Sequence, residues 1–253
     1  ERTVNGVKGV LFNVWAPKAL SVSVVGEFNK YDGRVHLMER IEDTGVFELF
    51  IPGLAAGCGY MYEIKRQGKG TTRKLDPVSR QISSVPITAS VVSDENMPDS
   101  YAWNDGLWMI KRKKEAGKKK PVTVYEVSLT DWLKEKSADE LVDFVKQEGY
   151  THVCFLPVAE YLNEEMNGYS TLGYFAVTHR TGGSDAFKKL VDDCHNAGIG
   201  VIIDWNGAYF GTEVKGLYDF DGADAYGYLK PSLEKHPEWD VVTFDYKKGD
   251  VRS

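Results

Sequence analysis

Long apolar runs are missing from this sequence. A helix that crosses a bilayer needs about 18 consecutive apolar residues, whereas the longest apolar segments here are short pieces at 153–159 and 199–203. The sequence therefore predicts no membrane-spanning helix and no membrane partner. The chain opens with Glu-Arg-Thr and shows no leader in which basic residues precede an apolar run. We therefore expect a mature, trimmed or excised product.

Cysteine and histidine are also scarce. Cys58, Cys154 and Cys194 are odd in number and far apart, which argues against a disulfide framework or a zinc ribbon and favours reduced thiols in a cytoplasmic protein. The five histidines have no metal-ligand spacing, and neither a Gly-x-Ser-x-Gly motif nor a phosphate-binding loop occurs. We therefore expect no metal and no cofactor.

Positive charge is in deficit overall and is concentrated in one segment. The chain has 31 basic and 37 acidic residues, for a net charge of -6. Residues 111–120 contain six lysines, one arginine and one glutamate, so this segment carries +6 and the remainder -12. An acidic body does not retain a polyanion, and the basic run has no interleaved aromatic residues. We predict a solvated linker at 109–120 and no nucleic-acid partner.

The remaining composition is that of an ordinary folded protein. The 253 residues are 42% apolar and 27% charged, which is enough chain and enough apolar content for a large hydrophobic core. Aromatic residues make up 12%. Flat amphipathic rings are suited to stacking on sugars, although most of these rings are expected to lie in the core.

The first part of the chain, 1–108, has the pattern of an antiparallel, immunoglobulin-like β-sandwich. Short runs alternate apolar and polar residues, and Pro- and Gly-containing turns separate them. The apolar positions are Val10, Phe12 and Val14; Val22 and Val24; Phe47, Leu49 and Ile51; and Tyr60, Tyr62 and Ile64.

From Pro121 onward the pattern changes to strand, helix, strand, helix, strand, which predicts parallel βαβ units. Ser137 and Glu140 form a capping box for the first helix, and Ser184 is expected to cap the second. A (β/α)8 barrel needs eight such units over about 250 residues. Residues 121–253 contain three, so we predict the first part of an incomplete TIM-type barrel, whose open edge promotes self-association unless further chain completes it.

Several motifs resemble the glycogen (1,4-α-glucan) branching enzymes of the α-amylase family. In the first part these are residues 14–17 (VWAP), 24–29 (VVGEFN) and 76–77 (DP), which resemble the glucan-binding module of these enzymes and their debranching relatives. In the second part they are 124–127 (VYEV), 149–158, 173–176 (GYFA), 194–205, 220–222 (FDG), 236–239 (HPEW) and 244–246 (FDY).

The resemblance implies a retaining transferase that cleaves an α-1,4-glucan and forms an α-1,6 branch in glycogen biosynthesis. Such a reaction needs a carboxylate nucleophile and a carboxylic acid about 5 to 5.5 Å apart. In the family these groups come from strands four and five, and this sequence stops short of strand four. We therefore expect no catalytic residue in this stretch and no activity from it alone. The α-glucan contacts that the resemblance implies are Tyr31, Tyr169, Asp204 and Tyr209.

The sequence departs from the family pattern at the predicted sugar site. Tyr209 replaces the sugar-binding His, Asn206 and Gly207 replace a Val-Pro pair, Ser170 replaces a Gln, and Asn167 replaces a Trp. In the sandwich, Tyr31 replaces a stacking Trp and Met61 replaces a basic residue. These departures leave a second hypothesis open, in which the protein is a non-catalytic glucan-binding module or a pseudoenzyme derived from a branching enzyme.

Overall fold

The computed structural model describes residues 1–84, 87–93, 101–228 and 241–252. The predicted motif at 236–239 lies outside the described residues. The strands of the first part are Arg2–Val4 (β1), Val7–Trp15 (β2), Ser21–Val25 (β3), Glu39–Ile41 (β4), Val46–Pro52 (β5), Gly59–Arg66 (β6), Gly70–Lys74 (β7), Ile82–Ser83 (β8) and Ala89–Val91 (β9).

These strands form two antiparallel sheets, as the alternating pattern predicts. One sheet has the order β1-β2-β5-β4, and the other has the order β3-β6-β9-β8 with β7 paired to β6. Val10, Phe12 and Val14 of β2 all point into the core, where Phe12 packs edge-to-face on Tyr60 of the other sheet. The period-two alternation thus places one face of each strand between the sheets.

The second part contains strands and helices in alternation. The strands are Val124–Val127 (β10), His152–Phe155 (β11), Ala159–Tyr161 (β12), Thr171–Val177 (β13), Gly200–Ile203 (β14), Tyr209–Gly211 (β15) and Val241–Thr243 (β16). The helices are Gly106–Glu115 (α1), Leu129–Trp132 (α2), Ala138–Gln147 (α3), Gly183–Asn196 (α4) and Gly249–Arg252 (α5).

The predicted βαβ arrangement is present as a three-stranded parallel sheet with the order β10-β11-β14. Helices α3 and α4 cover one face, where Leu141, Leu190 and Phe155 are buried together. Val124 of β10 and both Ile202 and Ile203 of β14 are exposed. The sheet therefore has one face covered by helices and two edge strands, β10 and β14, each of which pairs on one side only among the described residues.

The two predicted helix starts had different outcomes. Ser137 accepts a hydrogen bond from the Glu140 backbone, and the Glu140 side chain accepts one from the Ser137 backbone, so the capping box is confirmed. The Ser184 cap is wrong, because α4 begins at Gly183 after Gly182, which has a φ of 84°. A glycine in this left-handed conformation both ends the preceding 3-10 turn at 179–181 and starts the helix.

The segment between β11 and α4 contains a hairpin, β12–β13. Its first strand buries Glu160, which is 2% exposed. The carboxylate accepts hydrogen bonds from Arg180 at 2.9 Å, from Thr178 at 3.1 Å and from the His179 ring at 2.9 Å. A buried carboxylate needs such donors, so this residue holds the hairpin against the start of α4.

Helix α1 extends to Glu115, so the first part of the predicted linker at 109–120 is helical, and its role as a linker stays a prediction. Trp108 of α1 stacks on the His195 ring at 3.7 Å with an interplanar angle of 5°. His195 Nδ1 lies 2.7 Å from Asp105 Oδ2, and Asp192 accepts a hydrogen bond from the Asn104 backbone at 3.0 Å. These contacts hold the start of α1 and the residues just before it against α4, whereas the basic side chains at 111–114 are exposed.

The sandwich core continues into the second part of the chain. Phe210, Phe220 and Phe244 belong to the same buried cluster as Phe12 and Val14. Lys74 Nζ donates to the Val214 carbonyl at 2.6 Å, and Arg66 forms an ion pair with Asp219 at 2.7 Å. The division into domains at 108 and 120 remains a prediction, but the hydrophobic core is shared across it.

Candidate functional site

Asp204 lies where β14 ends, at the edge of the parallel sheet where all three strands have their carboxyl ends. Its backbone N–H donates to the Phe155 carbonyl at 2.9 Å, which ties the start of this loop to the neighbouring strand β11. Ligands of α/β proteins bind outside the carboxyl ends of the strands. Asp204 therefore occupies the edge at which a functional site is expected.

Tyr169 meets Asp204 from the loop between β12 and β13, and its hydroxyl donates to Asp204 Oδ2. Burial, the hydrogen bond to Asp204 and the Asp204 charge raise the pKa of the Tyr169 phenol, so it stays protonated and keeps donating at neutral pH. The loop turns tightly at Gly168, which has a φ of 87° and where a Cβ would lie 2.7 Å from the Pro157 carbonyl. Asn167 has a φ of 47°, a conformation that Asn tolerates better than Trp.

Tyr209 joins this pair through the loop that follows Asp204. Burial and the Asp204 charge raise the pKa of the Tyr209 phenol. Asn206 Nδ2 donates to the Tyr169 carbonyl at 3.1 Å and to the Tyr209 carbonyl at 3.2 Å. Three of the four predicted glucan-contacting residues, Tyr169, Asp204 and Tyr209, are thus brought together in the structure.

Further hydrogen bonds support these residues from Tyr174 of β13 and from Ser170, which directly precedes β13. Tyr174 donates its hydroxyl to the Tyr209 carbonyl at 2.7 Å. Ser170, which is buried, donates to Glu213 Oε1 at 2.7 Å. The small side chain at 170 is therefore used to anchor the next loop rather than to reach a ligand.

An aromatic groove lies beside the Asp204 loop, between the sandwich and the second part. It has a volume of about 520 Å³. Three of its rings are open to solvent, Phe175 at 59%, Trp205 at 54% and Tyr246 at 45% exposed. We define the aromatic groove by its ring-bearing residues, Trp15, Tyr174, Phe175, Trp205, Tyr226, Phe244 and Tyr246.

The shape of the aromatic groove depends on contacts between distant segments. The Trp205 indole N–H donates to the Tyr174 carbonyl at 3.3 Å, and Tyr246 donates its hydroxyl to the Gly207 carbonyl. Trp15 packs edge-to-face on Tyr226 at 5.7 Å and is partly buried. Sequence reasoning missed the groove because its rings come from separate segments, and the only signal was the high aromatic content.

Tyr31 lies elsewhere, on the turn after β3, with a φ of 57°. It lines a separate hollow of about 350 Å³. The Arg73 guanidinium lies 5.5 Å from the Tyr31 ring centroid, and Arg73 also donates to the Tyr31 carbonyl at 3.0 Å. Met61 is buried nearby, at 3% exposed, so a basic residue at that position would have to lose its hydration. The role of Tyr31 as a sugar platform remains a prediction.

The described ranges of the structure are 1–84, 87–93, 101–228 and 241–252. They contain no cluster of three or more His, Cys, Asp or Glu side chains arranged to hold a metal ion. They also contain no helix with the length and apolar character needed to cross a membrane.

Comparisons with known proteins match both parts of the chain. The family model of carbohydrate-binding module 48, described as the isoamylase N-terminal domain, matches residues 1–79. The chain is 41% identical over 260 residues to the 1,4-alpha-glucan branching enzyme GlgB of Nitrosococcus oceani, covering 99% of this chain and 34% of that protein. It is also 41% identical over 260 residues to GlgB of Gloeobacter violaceus, covering 98% of this chain and 35% of that protein.

Solved structures show the same fold. A Salmonella typhimurium structure provisionally described as an alpha amylase has a TM-score of 0.71 and 24% identity, covering 96% of this chain and 38% of that one. The catalytic module of SpuA, a glycogen-degrading pneumococcal virulence factor, has a TM-score of 0.65 and 19% identity, covering 97% of this chain and 42% of that one.

The chain spans 34 to 36% of the length of the first curated relatives it matches. Within that span the likeness is continuous from the sandwich to the parallel sheet, because the alignments cover at least 98% of this chain. The resemblance to 1,4-α-glucan branching enzymes is thus confirmed over nearly the whole chain.

Proposed function

We propose that this chain is the N-terminal part of a 1,4-α-glucan branching enzyme, with an α-glucan as its partner. The observation that carries the proposal is the pairing of Tyr169 with Asp204 at the carboxyl edge of the parallel sheet, in a chain that resembles branching enzymes from end to end. We further propose that β10, β11 and β14 are the first strands of a TIM-type barrel. Their parallel order and the helices on one face support this.

In this proposal the stretch binds and orients the sugar chain and does not cleave it. Retaining transfer needs two carboxyl groups about 5 to 5.5 Å apart, and the resemblance assigns them to the fourth and fifth strands of the barrel, which come after its first three parallel strands β10, β11 and β14. Asp204 is instead occupied by the Tyr169 hydroxyl, which suits a residue that sets the charge and shape of the sugar site. Removing such a support lowers catalysis without removing the bond-breaking groups.

The aromatic groove supplies a second contact surface for the same glucan. The open faces of Trp205 and Phe175 can stack on glucosyl rings, and Trp205 follows Asp204 directly in the chain. A chain bound in the groove would therefore lead toward the Asp204 loop. Few charged side chains line the groove, which suits a neutral polymer.

The second candidate function is non-catalytic glucan binding. Tyr209 and Asn206, which depart from the family pattern at the sugar site, favour it. The two candidates differ in the sequence that follows residue 253. An Asp in an Arg-x-Asp strand, followed by a Glu on the next strand, supports the enzyme, and loss of both supports the binding module. Cytoplasmic location and the absence of nucleic-acid and membrane partners stay predictions.

Calorimetric titration with maltoheptaose tests the binding part of the proposal. One stacked ring contributes about 0.5 to 1.5 kcal/mol, so Trp205→Ala should weaken binding roughly two- to twelve-fold. Trp103→Ala is the matched control, because Trp103 is 45% exposed and does not line the aromatic groove. Equal losses in both variants, or no binding by the parent chain, would contradict the proposal.

A further inference from the structure

We infer that Asn206 is a positioning residue that holds the Tyr169 and Tyr209 loops in the arrangement that binds glucan. The geometric part of the inference rests on the hydrogen bonds of the Asn206 amide. The choice of glucan as the ligand rests on the proposed function. The inference concerns a position at which the sequence departs from the relatives it resembles.

The Asn206 side chain makes three hydrogen bonds, each to a different backbone group. Nδ2 donates to the carbonyls of Tyr169 and Tyr209 at 3.1 and 3.2 Å, and Oδ1 accepts from the Ala208 backbone at 3.1 Å. One amide thus joins the loop that carries Tyr169 to the loop that carries Tyr209. Asn206 lies two residues after Asp204, so the same short segment also positions the Asp204 carboxylate that accepts the hydrogen bond of the Tyr169 hydroxyl.

Gly207 explains why a polar residue is needed beside it. A Cβ at 207 would lie 2.6 Å from Cζ3 of the Trp205 ring, which folds back over this backbone. Glycine is the residue that leaves room for the ring, and it also loosens the loop because glycine has the most backbone freedom. The Asn206 amide restores the lost rigidity through its own hydrogen bonds.

Neither an apolar nor an acidic side chain supplies the same set of bonds at this position. A Val side chain has no hydrogen-bonding atoms, and a carboxylate would set its oxygens against two carbonyl oxygens. A primary amide has two donor hydrogens for the two carbonyls and an acceptor for the Ala208 N–H. The side chain therefore matches its surroundings group by group.

The first measurement follows Tyr169 alone and does not depend on glucan. With tyrosines labelled at ¹³Cζ, the Tyr169 signal is identified as the one that Tyr169→Phe removes. In a titration to alkaline pH, we expect the Tyr169 signal of the parent chain to reach its phenolate position at a higher pH than that of an ordinary tyrosine, because burial and the bond to Asp204 raise the pKa of Tyr169. In Asn206→Leu, which keeps a similar side-chain shape without charge, we expect the Tyr169 signal to move to its phenolate position at a lower pH than in the parent.

The matched control is Asn196→Leu, because the Asn196 amide also donates to a backbone carbonyl, that of Asp192 at 2.9 Å, but lies on α4. It should leave the Tyr169 signal unchanged. Asn206→Ser is a second variant, smaller and polar, in case the leucine variant does not fold. An unchanged Tyr169 signal in every folded Asn206 variant would overturn the inference.

The second measurement is maltoheptaose affinity, which should fall roughly two- to twelve-fold in Asn206→Leu, the loss expected for one hydrogen bond of ordinary strength. Unchanged affinity in a variant whose Tyr169 signal has moved would overturn the role in glucan binding. If the parent chain binds no maltoheptaose, the proposed glucan binding fails, while the Tyr169 signal still decides whether Asn206 positions that residue.

Discussion

The buried Lys74 should make the free energy of unfolding depend on pH, by an amount that follows from its pKa. Its side chain is buried, and Nζ donates to the Val214 and Tyr218 carbonyls at 2.6 and 2.5 Å, which secures the loop that carries Leu217 of the groove wall. Burial lowers the pKa of Lys74 from its ordinary value of 10.5 to about 8. Between these two values the unfolded chain binds a proton that the folded chain does not, so the free energy of unfolding rises with pH across this window.

The shift corresponds to about 3 kcal/mol in total, of which about 2 kcal/mol falls between pH 7.5 and pH 10. Replacement by methionine removes the titrating group and keeps an unbranched side chain of similar length. The free energy of unfolding is measured by urea titration for the parent and for Lys74→Met, with a reductant present. Between pH 7.5 and pH 10 it should rise by about 2 kcal/mol more in the parent than in the variant. Parallel curves would refute the reasoning, because every other titrating group is common to both proteins.

Three further predictions concern binding, catalysis and assembly. Tyr31→Ala should reduce retention in glycogen-containing gels roughly two- to twelve-fold, because one stacked ring is lost. Tyr31→Phe should be retained like the parent. Equal retention of the parent and both variants would rule out Tyr31 as a sugar platform. The 253-residue chain should leave the iodine absorbance of amylose unchanged, and turnover above a heat-killed control would contradict this. Ile202 and Ile203 are 40% and 46% exposed at the β14 edge. Light scattering should therefore show self-association of the parent chain, and Ile203→Lys should reduce it. A monodisperse monomer of the parent would argue against an open edge.

Local patterns in the sequence predicted the elements whose cause is local. The strand β2 follows from the alternation of Val10, Phe12 and Val14, and helix α3 follows from the Ser137 capping box. Both depend on neighbours within a few residues. The α4 start was missed because the left-handed Gly182 and the 3-10 turn before it determine the helix boundary, and a Ser two residues later resembles a cap equally well.

Long-range contacts account for what the sequence could not predict. The hairpin β12–β13 depends on Glu160 meeting Arg180, twenty residues away in the chain. The basic helix α1 depends on Trp108 stacking on His195, a pairing for which neither residue carries a local signal. The Tyr169 and Asp204 pair was predicted only as two separate residues from the family resemblance, because hydrophobic periodicity does not say which loops meet.

The shared core constrains how the sandwich can act in the proposed glucan binding. Phe210 and Phe244 pack in the same cluster as the sandwich strands, and the Lys18 backbone donates to Asp221 at 2.8 Å. A module joined in this way cannot reorient independently of the parallel sheet, because core packing is lost when the two parts separate. The aromatic groove takes Trp15 from one part and Trp205 from the other. Sugar bound there would contact both parts at once, so its binding free energy would also stabilise the junction between them.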